Sequence, residues 1–312
     1  METFRSSLIR KNLTLLNSYP VRKHILSARN FNYTRSYSYL NIMYGKVYFV
    51  GAGPGDPELL TIKAMKILKS CDVVIHDSLV SQELLSMMPE GTEIVPIRET
   101  PRQKGMNINE IGSLLVKYAK AGKNVVRLKS GDPLIFSRIG EEIQFLDNEG
   151  IEYSIIPGIS SAIYSAAASK TVITDRRFSS SFAVVTGHES KEKDFSSVRW
   201  ETLSKAADTI IVLMGSSNMA DYCKRLRDTG LDKRTPLVIV SNGSRKDEKI
   251  IKTTLENAIN SEPGEYGELS TVIINVASLN TKGINHLSPK GRQDISADSL
   301  QLMFSGNNRK EG

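Results

Sequence analysis

A glycine-rich loop follows a short apolar run in the sequence VGAGPGDPELLT at residues 50–61. Its three glycines let the backbone turn sharply and let a ligand approach closely. The loop differs from a dinucleotide-binding fingerprint, because Asp56, whose carboxylate would face the phosphates, replaces the third glycine. Pro54 also has no N–H group to offer a phosphate. A nucleoside ligand without phosphates and with a positive centre fits better, and S-adenosylmethionine, with its sulfonium, is such a ligand.

The net charge of +7 is concentrated at the N-terminus. Residues 1–42 hold seven lysines and arginines against one acidic residue, so the rest of the chain is close to neutral. A domain that binds nucleic acid carries an excess of basic residues, and residues 43–312 do not, so we expect no nucleic-acid partner. Two distant cysteines and four scattered histidines show no metal-ligand spacing, so we expect neither a disulfide framework nor a bound metal.

Residues 1–42 are rich in Ser, Asn, Tyr and Arg and almost free of acid, which is typical of a mitochondrial or plastid transit peptide. Two alternatives are a disordered tail and an upstream start codon, because Met43 immediately precedes the first predicted strand. No apolar run approaches the ~20 residues of a membrane span. We therefore expect a cytoplasmic protein, or an organellar one if this segment is a transit peptide.

The first half of the chain alternates apolar runs with amphipathic segments. The predicted strands are 46–50, 72–76, 93–97, 124–129 and 153–157, and the predicted helices are 57–70, 81–88, 107–121 and 139–149. This alternation indicates an α/β domain at 43–157 with a mostly parallel sheet.

The second half has a different pattern. After a small-residue helix at 160–168, the predicted strands are 181–187, 209–215, 236–241, 248–253 and 271–277, and the predicted helices are 199–206, 218–229 and 254–261. We expect a second α/β domain at 158–280 with a mixed sheet, and the break near Pro157 and Gly158. Residues 281–312 are polar and aperiodic, which predicts a disordered tail.

Glycine occurs at most of the predicted strand ends, where parallel sheets bind ligands. The loops there read GAGPGD (51–56), HDSLVS (76–81), KSGDP (129–133), PGISS (157–161), TGHE (186–189), MGSSN (214–218) and SNGS (241–244). They predict a cleft that is lined by backbone and built from both halves.

Taken together, these stretches resemble the tetrapyrrole (corrin/porphyrin) methylases, which use S-adenosylmethionine. The similarity runs through residues 46–278, and its most specific blocks are VGAGPGDPELLT, DVVIHDSLVS, VVRLKSGDPLIFSRIGEE, PGISSAI and FSSSFAVVTGHE. The first block would also fit methyltransferases of later corrin rings. The third and fifth blocks favour the branch of the family that methylates uroporphyrinogen III.

The resemblance implies a homodimer of two α/β domains with S-adenosylmethionine in the cleft between them. The residues that it assigns to the cofactor are Pro54, Ser130, Gly131, Asp132, Ile135, Ser160, Ser161, Met214 and Gly243. Backbone groups and a thioether can contact adenosine, and the Asp132 carboxylate can pair with a cation or accept hydrogen bonds from ribose hydroxyls. Spacing alone is equally consistent with other roles, in which Met214 packs in the hydrophobic core and Asp132 is an ordinary turn or cap residue.

The reaction implied is the methylation of rings A and B of uroporphyrinogen III, giving precorrin-2 for sirohaem or cobalamin synthesis. The family's proton acceptor is the aspartate that ends the second strand, which here is Asp77. An alternative role for Asp77 is to cap the next helix. The macrocycle carries eight carboxylates, so the cleft needs cations. The candidates are Arg98, Arg102, Lys129, Arg138, Arg176 and Arg177.

The chain departs from the family pattern around the substrate. Counting from Asp77, the family's proton-donor lysine falls on Glu99, and we expect Arg98, Arg102 or Lys104 to take its place. Ser137 and Ile139 replace usual glycines, and Asp175 replaces a histidine. Two other hypotheses are therefore kept, a methyltransferase of a later corrin precursor such as precorrin-4, and a cofactor-binding paralogue without catalysis.

Overall fold

The computed structural model describes residues 44–98, 105–177, 179–188, 197–262, 265–267 and 269–275. All of them lie in one compact unit. They form two sheets in succession, and the boundary expected near Pro157 and Gly158 falls in the connection between the sheets. The extension 1–42 and the tail 281–312 lie outside the described residues. No described helix has both the length and the hydropathy that a bilayer crossing requires.

The first sheet consists of five parallel strands, as the alternation of strands and helices predicts. Across the sheet they are β3 (Glu93–Pro96), β2 (Val73–His76), β4 (Val125–Lys129), β1 (Val47–Gly51) and β5 (Tyr153–Ile156). Every residue of β2 and β4 is buried, because helices cover both faces of a parallel sheet.

Four helices cover this sheet. α1 (Ile62–Leu68) and α2 (Gln82–Leu85) pack on one face, and α3 (Ile108–Lys120) and α4 (Ile139–Asn148) pack on the other. The loop after β1 leads to α1 on one face of the sheet, whereas the loop after the neighbouring strand β4 leads to α4 on the opposite face. Such a switch point opens a crevice at the carboxyl ends of the strands, where α/β sheets bind ligands.

The second sheet is mixed, as the pattern of the second half predicts. Its order is β6 (Phe182–Thr186), β7 (Thr209–Leu213), β10 (Ser270–Asn275), β8 (Pro236–Ser241) and β9 (Lys249–Thr254). Only β6 and β7 pair in parallel among these described strands, and the other three pairings are antiparallel.

The helices of the second half form two layers on this sheet. α5 (Ser161–Ala168) packs on one face through its alanines. α6 (Trp200–Ala206), α7 (Met219–Asp228) and α8 (Leu255–Ile259) pack on the other. The core beneath them is apolar, and it includes the ring of Trp200 stacked on that of Tyr222 with centroids 4.7 Å apart.

Two predicted helices differ clearly from the structure: the one predicted at 81–88 covers only Gln82–Leu85, and the one predicted at 57–70 is interrupted. Residues 57–70 have apolar residues at helical spacing, but the structure has a 3₁₀ turn at Pro57–Leu59 and begins α1 only at Ile62. Thr61 is extended, and its Oγ1 accepts a hydrogen bond from the N–H of Ala64 at 3.2 Å. Since Thr61 caps a separate helix, the glycine-rich loop does not open directly into a helix N-terminus.

Candidate functional site

Glycines bring the ends of β1 and β4 against the start of the second half. A Cβ on Gly158 would lie 2.3 Å from the carbonyl oxygen of Gly131 and 2.8 Å from Cα of Gly51, which is closer than real side chains come. Gly131 and Gly53 exchange backbone hydrogen bonds, with N···O distances of 2.8 and 3.2 Å. Backbone packs directly on backbone here, so these strand ends require glycine.

A cavity of about 240 Å³ lies at these loops, near the lower end of the sizes common for small-molecule sites. Its walls come from the loops after β1, β2 and β4, the start of α5, and the ends of β7 and β8. All nine residues that the family resemblance assigns to the cofactor line it, together with Asp77. They are Pro54, Ser130, Gly131, Asp132, Ile135, Ser160, Ser161, Met214 and Gly243. Residues far apart in the sequence therefore meet in one cleft.

Backbone strain is concentrated around the same cavity. Among the described residues, six other than glycine have a positive φ. Phe136, Met214 and Asn242 line the cavity with φ of 48°, 53° and 51°. Arg138 and Ser244 each follow a lining residue directly, and the sixth lies at the end of α5. A left-handed conformation costs such residues about 1–2 kcal/mol, and strained positions cluster at functional sites.

Asp132 links the two halves at the cavity. Its Oδ2 accepts a hydrogen bond from the N–H of Gly158 at 3.0 Å, and its Oδ1 accepts one from the N–H of Leu134 at 2.8 Å. The charged residues among the described lining are Asp77, Asp132 and Arg245, and the Arg245 guanidinium also donates to the carbonyl of Leu79 at 3.0 Å. A lining with more negative than positive charge favours a cation over a phosphate.

Asp56 has a different role from the one expected. Its carboxylate accepts a hydrogen bond from the N–H of Glu58 at 2.8 Å, and its own N–H donates to Oγ of Ser244 at 2.7 Å. Asp56 does not line the cavity, so the expectation that its carboxylate would face phosphates is wrong. Two features still disfavour a phosphate at this loop: Pro54 has no N–H to donate, and the loop leads into a 3₁₀ turn, with the α-helix beginning only at Ile62.

Asp77 directly follows β2 and lines the cavity, with its side chain 23% exposed. Its Oδ1 accepts a hydrogen bond from Nη2 of Arg127 at 2.5 Å, and its Oδ2 accepts a longer one from the N–H of Ser130 at 3.4 Å. The cap of α2 is Ser81, whose Oγ accepts from the N–H of Leu84 at 3.3 Å. The alternative role of Asp77 as a helix cap is therefore wrong.

Lys129 was expected among the substrate cations, and the structure contradicts this. Its side chain is 2% exposed, and its Nζ donates to Oε1 of Glu142, an equally buried residue, at 2.6 Å. Burial and the positive charge of Arg127 lower the pKa of Lys129. The reason is topological: β4 lies in the middle of the sheet, so its side chains point into packed layers on both faces.

The other candidate substrate cations that the structure describes are exposed and lie outside the cavity lining. Arg98, Arg138 and Arg176 belong to this group. Arg138 donates twice to Glu141, at 2.7 Å from each of two nitrogens, and this hydrogen bonding lowers the pKa of Glu141. Arg177 binds Asp175 in the same bidentate way and holds the pKa of Asp175 at about 2.

The family's lysine position falls outside the described residues. Glu99, Arg102 and Lys104 belong to the segment 99–104, so their expected roles stay predictions. Both cysteines are buried and free, and burial raises the pKa of Cys71 to about 11, which makes it a poor nucleophile. Within the described part of the chain, no three His, Cys, Asp or Glu side chains cluster as metal ligands would.

Sequence reasoning missed much of the lining. The additional residues are Leu79, Phe136, Ser137, Ser165, Leu213, Val240, Asn242, Arg245, Leu269, Ser270 and Thr271. The loops around Asn242 and Phe136 were visible as strand-end motifs, but nothing local marks which of their side chains turn inward. The β10 residues carry no motif and enter the wall only because β10 lies between β7 and β8.

Comparison with known proteins gives one consistent family. The model of the tetrapyrrole (corrin/porphyrin) methylases matches residues 46–259. The uroporphyrinogen-III C-methyltransferase of Methanocaldococcus jannaschii is 42% identical over 74% of this chain and 96% of its own length.

Two solved structures are also similar. A uroporphyrin-III C-methyltransferase of Thermus thermophilus in complex with S-adenosylhomocysteine has a TM-score of 0.62 and 32% identity, covering 76% of this chain and all of its own. A cobalt precorrin-4 methyltransferase of cobalamin biosynthesis has a TM-score of 0.66 and 30% identity, and the match covers 74% of this chain and 95% of that protein.

Proposed function

The chain belongs to the tetrapyrrole (corrin/porphyrin) methylases, and we propose that it is an S-adenosylmethionine-dependent uroporphyrinogen-III C-methyltransferase. One observation carries the proposal beyond sequence similarity. The nine residues assigned to the cofactor and the expected proton acceptor Asp77 line a single cavity, although they come from both sheets. The product, methylated on rings A and B, is precorrin-2, which feeds sirohaem and cobalamin synthesis.

The lining fits S-adenosylmethionine chemically. Hydroxyls of Ser160 and Ser161, the glycine backbone and the Met214 thioether offer hydrogen-bond partners and apolar contact for a nucleoside. The carboxylates of Asp77 and Asp132 favour a positive centre. When bound there, S-adenosylmethionine supplies a methyl group on a sulfonium, which is already a good leaving group.

The chain's own residues then position the reactants and take up a proton. Effective positioning and exclusion of water supply most of the acceleration when the leaving group is good. Asp77 is a carboxylate in the cavity wall, fixed by Arg127 and reached from the cleft, so it accepts the proton that the methylated pyrrole carbon loses.

Exposed arginines are the candidates for binding the substrate's carboxylates. Arg98, Arg138 and Arg176 are exposed, and guanidinium groups bind carboxylates in bidentate fashion. Arg138 would have to leave its pair with Glu141 to do so. Glu99 stands at the family's lysine position. If it faces the macrocycle, Glu99→Lys raises turnover; if it faces solvent, that change is neutral and Arg102→Ala is impaired.

The test is turnover with purified uroporphyrinogen III and S-adenosylmethionine under reducing conditions, following the doubly methylated product by mass spectrometry. Calorimetry gives the matched binding control, because S-adenosylhomocysteine is expected to bind and NAD is not. Tight NAD binding without a response to S-adenosylhomocysteine would contradict the cofactor assignment. Binding without turnover would favour the paralogue without catalysis.

A later corrin precursor is the second candidate substrate. The precorrin-4 methyltransferase has the same fold at 30% identity, and this chain departs from the usual pattern at Ser137, Ile139, Asp175 and Glu99. Turnover of precorrin-4 but not of uroporphyrinogen III would establish this alternative.

The assembly and location follow from the family resemblance and the free cysteines. We propose a homodimer in a reducing compartment, the cytoplasm. Sedimentation analysis tests the homodimer, and a monomer at all protein concentrations would contradict it. Fusion of residues 1–42 to a fluorescent protein tests the cytoplasmic location, because delivery of the fusion to an organelle would identify a transit peptide.

A further inference from the structure

Three fully buried charged side chains lie behind Asp77. The side chains of Arg127, Lys129 and Glu142 are each 2% exposed, which is unusual because charged groups lose their hydration when buried. Arg127 and Lys129 come from β4, and Glu142 comes from the first turns of α4. Together with Asp77 they form a closed group of two positive and two negative charges.

Arg127 uses all five of its N–H donors within this group and the adjoining backbone. Nε and Nη2 donate to Glu142 at 3.0 and 3.3 Å, and Nη2 also donates to Asp77 at 2.5 Å. Nη1 donates to the carbonyls of Ile75 and Leu128 at 3.3 and 3.2 Å. The guanidinium is therefore fixed in position and orientation, and it presents a single donor to the cavity side.

Glu142 in turn fixes the cation that holds Asp77. Its two oxygens accept from Arg127 and from Nζ of Lys129, the latter at 2.6 Å. Buried ion pairs often contribute little net stability compared with apolar packing. Stability alone is thus a weak reason for this group, whereas a fixed carboxylate at the cavity wall is its direct structural result.

We propose that Arg127 and Glu142 are positioning residues, which hold the Asp77 carboxylate where it receives the proton. The inference rests on the proposed function, since it assigns the two residues to the same reaction. It extends that function by naming residues that do not touch the cavity. Glu142 acts through Arg127, and Arg127 acts through Asp77.

The experiment is a double-mutant cycle with Glu142→Gln, Asp77→Asn and the double variant, each measured for kcat, KM and S-adenosylhomocysteine affinity. Glu142→Gln keeps the shape of the side chain but removes its charge. We expect kcat to fall at least ~10-fold, less than the ~10²–10⁴-fold typical of losing the general base itself. KM and cofactor affinity should stay within about twofold. In the Asp77→Asn background the same change should have no further effect, because coupled residues are not additive.

Glu149→Gln is the matched control. Glu149 caps the other end of α4 and pairs with Lys120 at 2.5 Å, remote from the cavity, so its turnover should equal that of the wild type. Should Glu142→Gln not fold, Arg127→Lys replaces it in the cycle, because it keeps the charge but loses the fork of donors. A loss of kcat that is equal in both backgrounds overturns the positioning role. A wild-type protein without turnover overturns the proposed function instead.

Discussion

The two sheets build one cavity by different physical means. In the first half, the wall at Asp77 is backed by buried charge, and every fully buried Lys, Arg or Glu of the described residues belongs to this half. In the second half, the interior is apolar on both faces of the sheet, and β7 and β8 end in strained backbone at Met214 and Asn242.

This difference predicts that the two halves have different roles, one in the chemical step and the other in cofactor binding. Buried charges hold a reactive carboxylate in a fixed direction, which matters for chemistry. Strained strand ends set the shape of a surface, which matters for binding a nucleoside. Variants of Asp77 and of the buried charges behind it should therefore change turnover more than affinity, and variants at the strained strand ends of the second half should change affinity more than turnover.

The largest expected effect is that of Asp77→Asn, which removes the proton acceptor and keeps its size. We expect kcat to fall by ~10²–10⁴-fold. Affinity for S-adenosylhomocysteine should be nearly unchanged, and calorimetry beside single-turnover kinetics measures both. Weaker cofactor binding with normal turnover would reverse the division between the halves.

Gly158→Ala tests the backbone contact at which the halves meet. The new Cβ would lie 2.3 Å from a carbonyl oxygen, so we expect a loss of about 1–3 kcal/mol in the free energy of unfolding and weaker cofactor binding. Thermal unfolding measures the change in stability. Gly140→Ala is the control, because its Cβ would meet no atom within 4 Å and should leave stability equal or slightly higher. An equal response of the two variants would contradict the contact.

Met214→Ala and Met214→Gly form a matched pair for the second half. Both remove the thioether from the cavity, so both should weaken cofactor binding while changing kcat less than Asp77→Asn does. Only glycine relieves the positive φ of 53°, so the glycine variant should be about 1 kcal/mol more stable than the alanine variant. Equal melting temperatures would show that no strain is stored there.

Tyr222→Phe carries the smallest expected effect and tests the apolar character of the second core. Among the described residues, the Tyr222 hydroxyl is the one buried side-chain polar atom without a hydrogen-bond partner. An unsatisfied buried group costs about 1–3 kcal/mol, so its removal should leave stability unchanged or raise the melting temperature by a few degrees. A clear fall would reveal a partner for this hydroxyl.

Much of the fold could be predicted because its signals are local. Apolar periodicity located the strands and most helices, and glycines at strand ends located the cavity loops. The helix expected at 57–70 was too long, because one capping side chain, that of Thr61, outweighs the periodicity. The cofactor residues could be assigned only through the family's motifs, since spacing left Met214 and Asp132 ambiguous.

By itself, the sequence determined the strand order along the chain, the change from a parallel to a mixed pattern, and the backbone-lined cleft. These depend on residue types that act within a few positions of one another. Only the tertiary structure decided that Lys129 is buried while Arg138 is exposed, that Asp56 lies outside the cavity lining, and that Arg127 holds Asp77. Burial and charge pairing depend on which strands become neighbours, and strands β2 and β4, separated in sequence, meet only when the sheet forms.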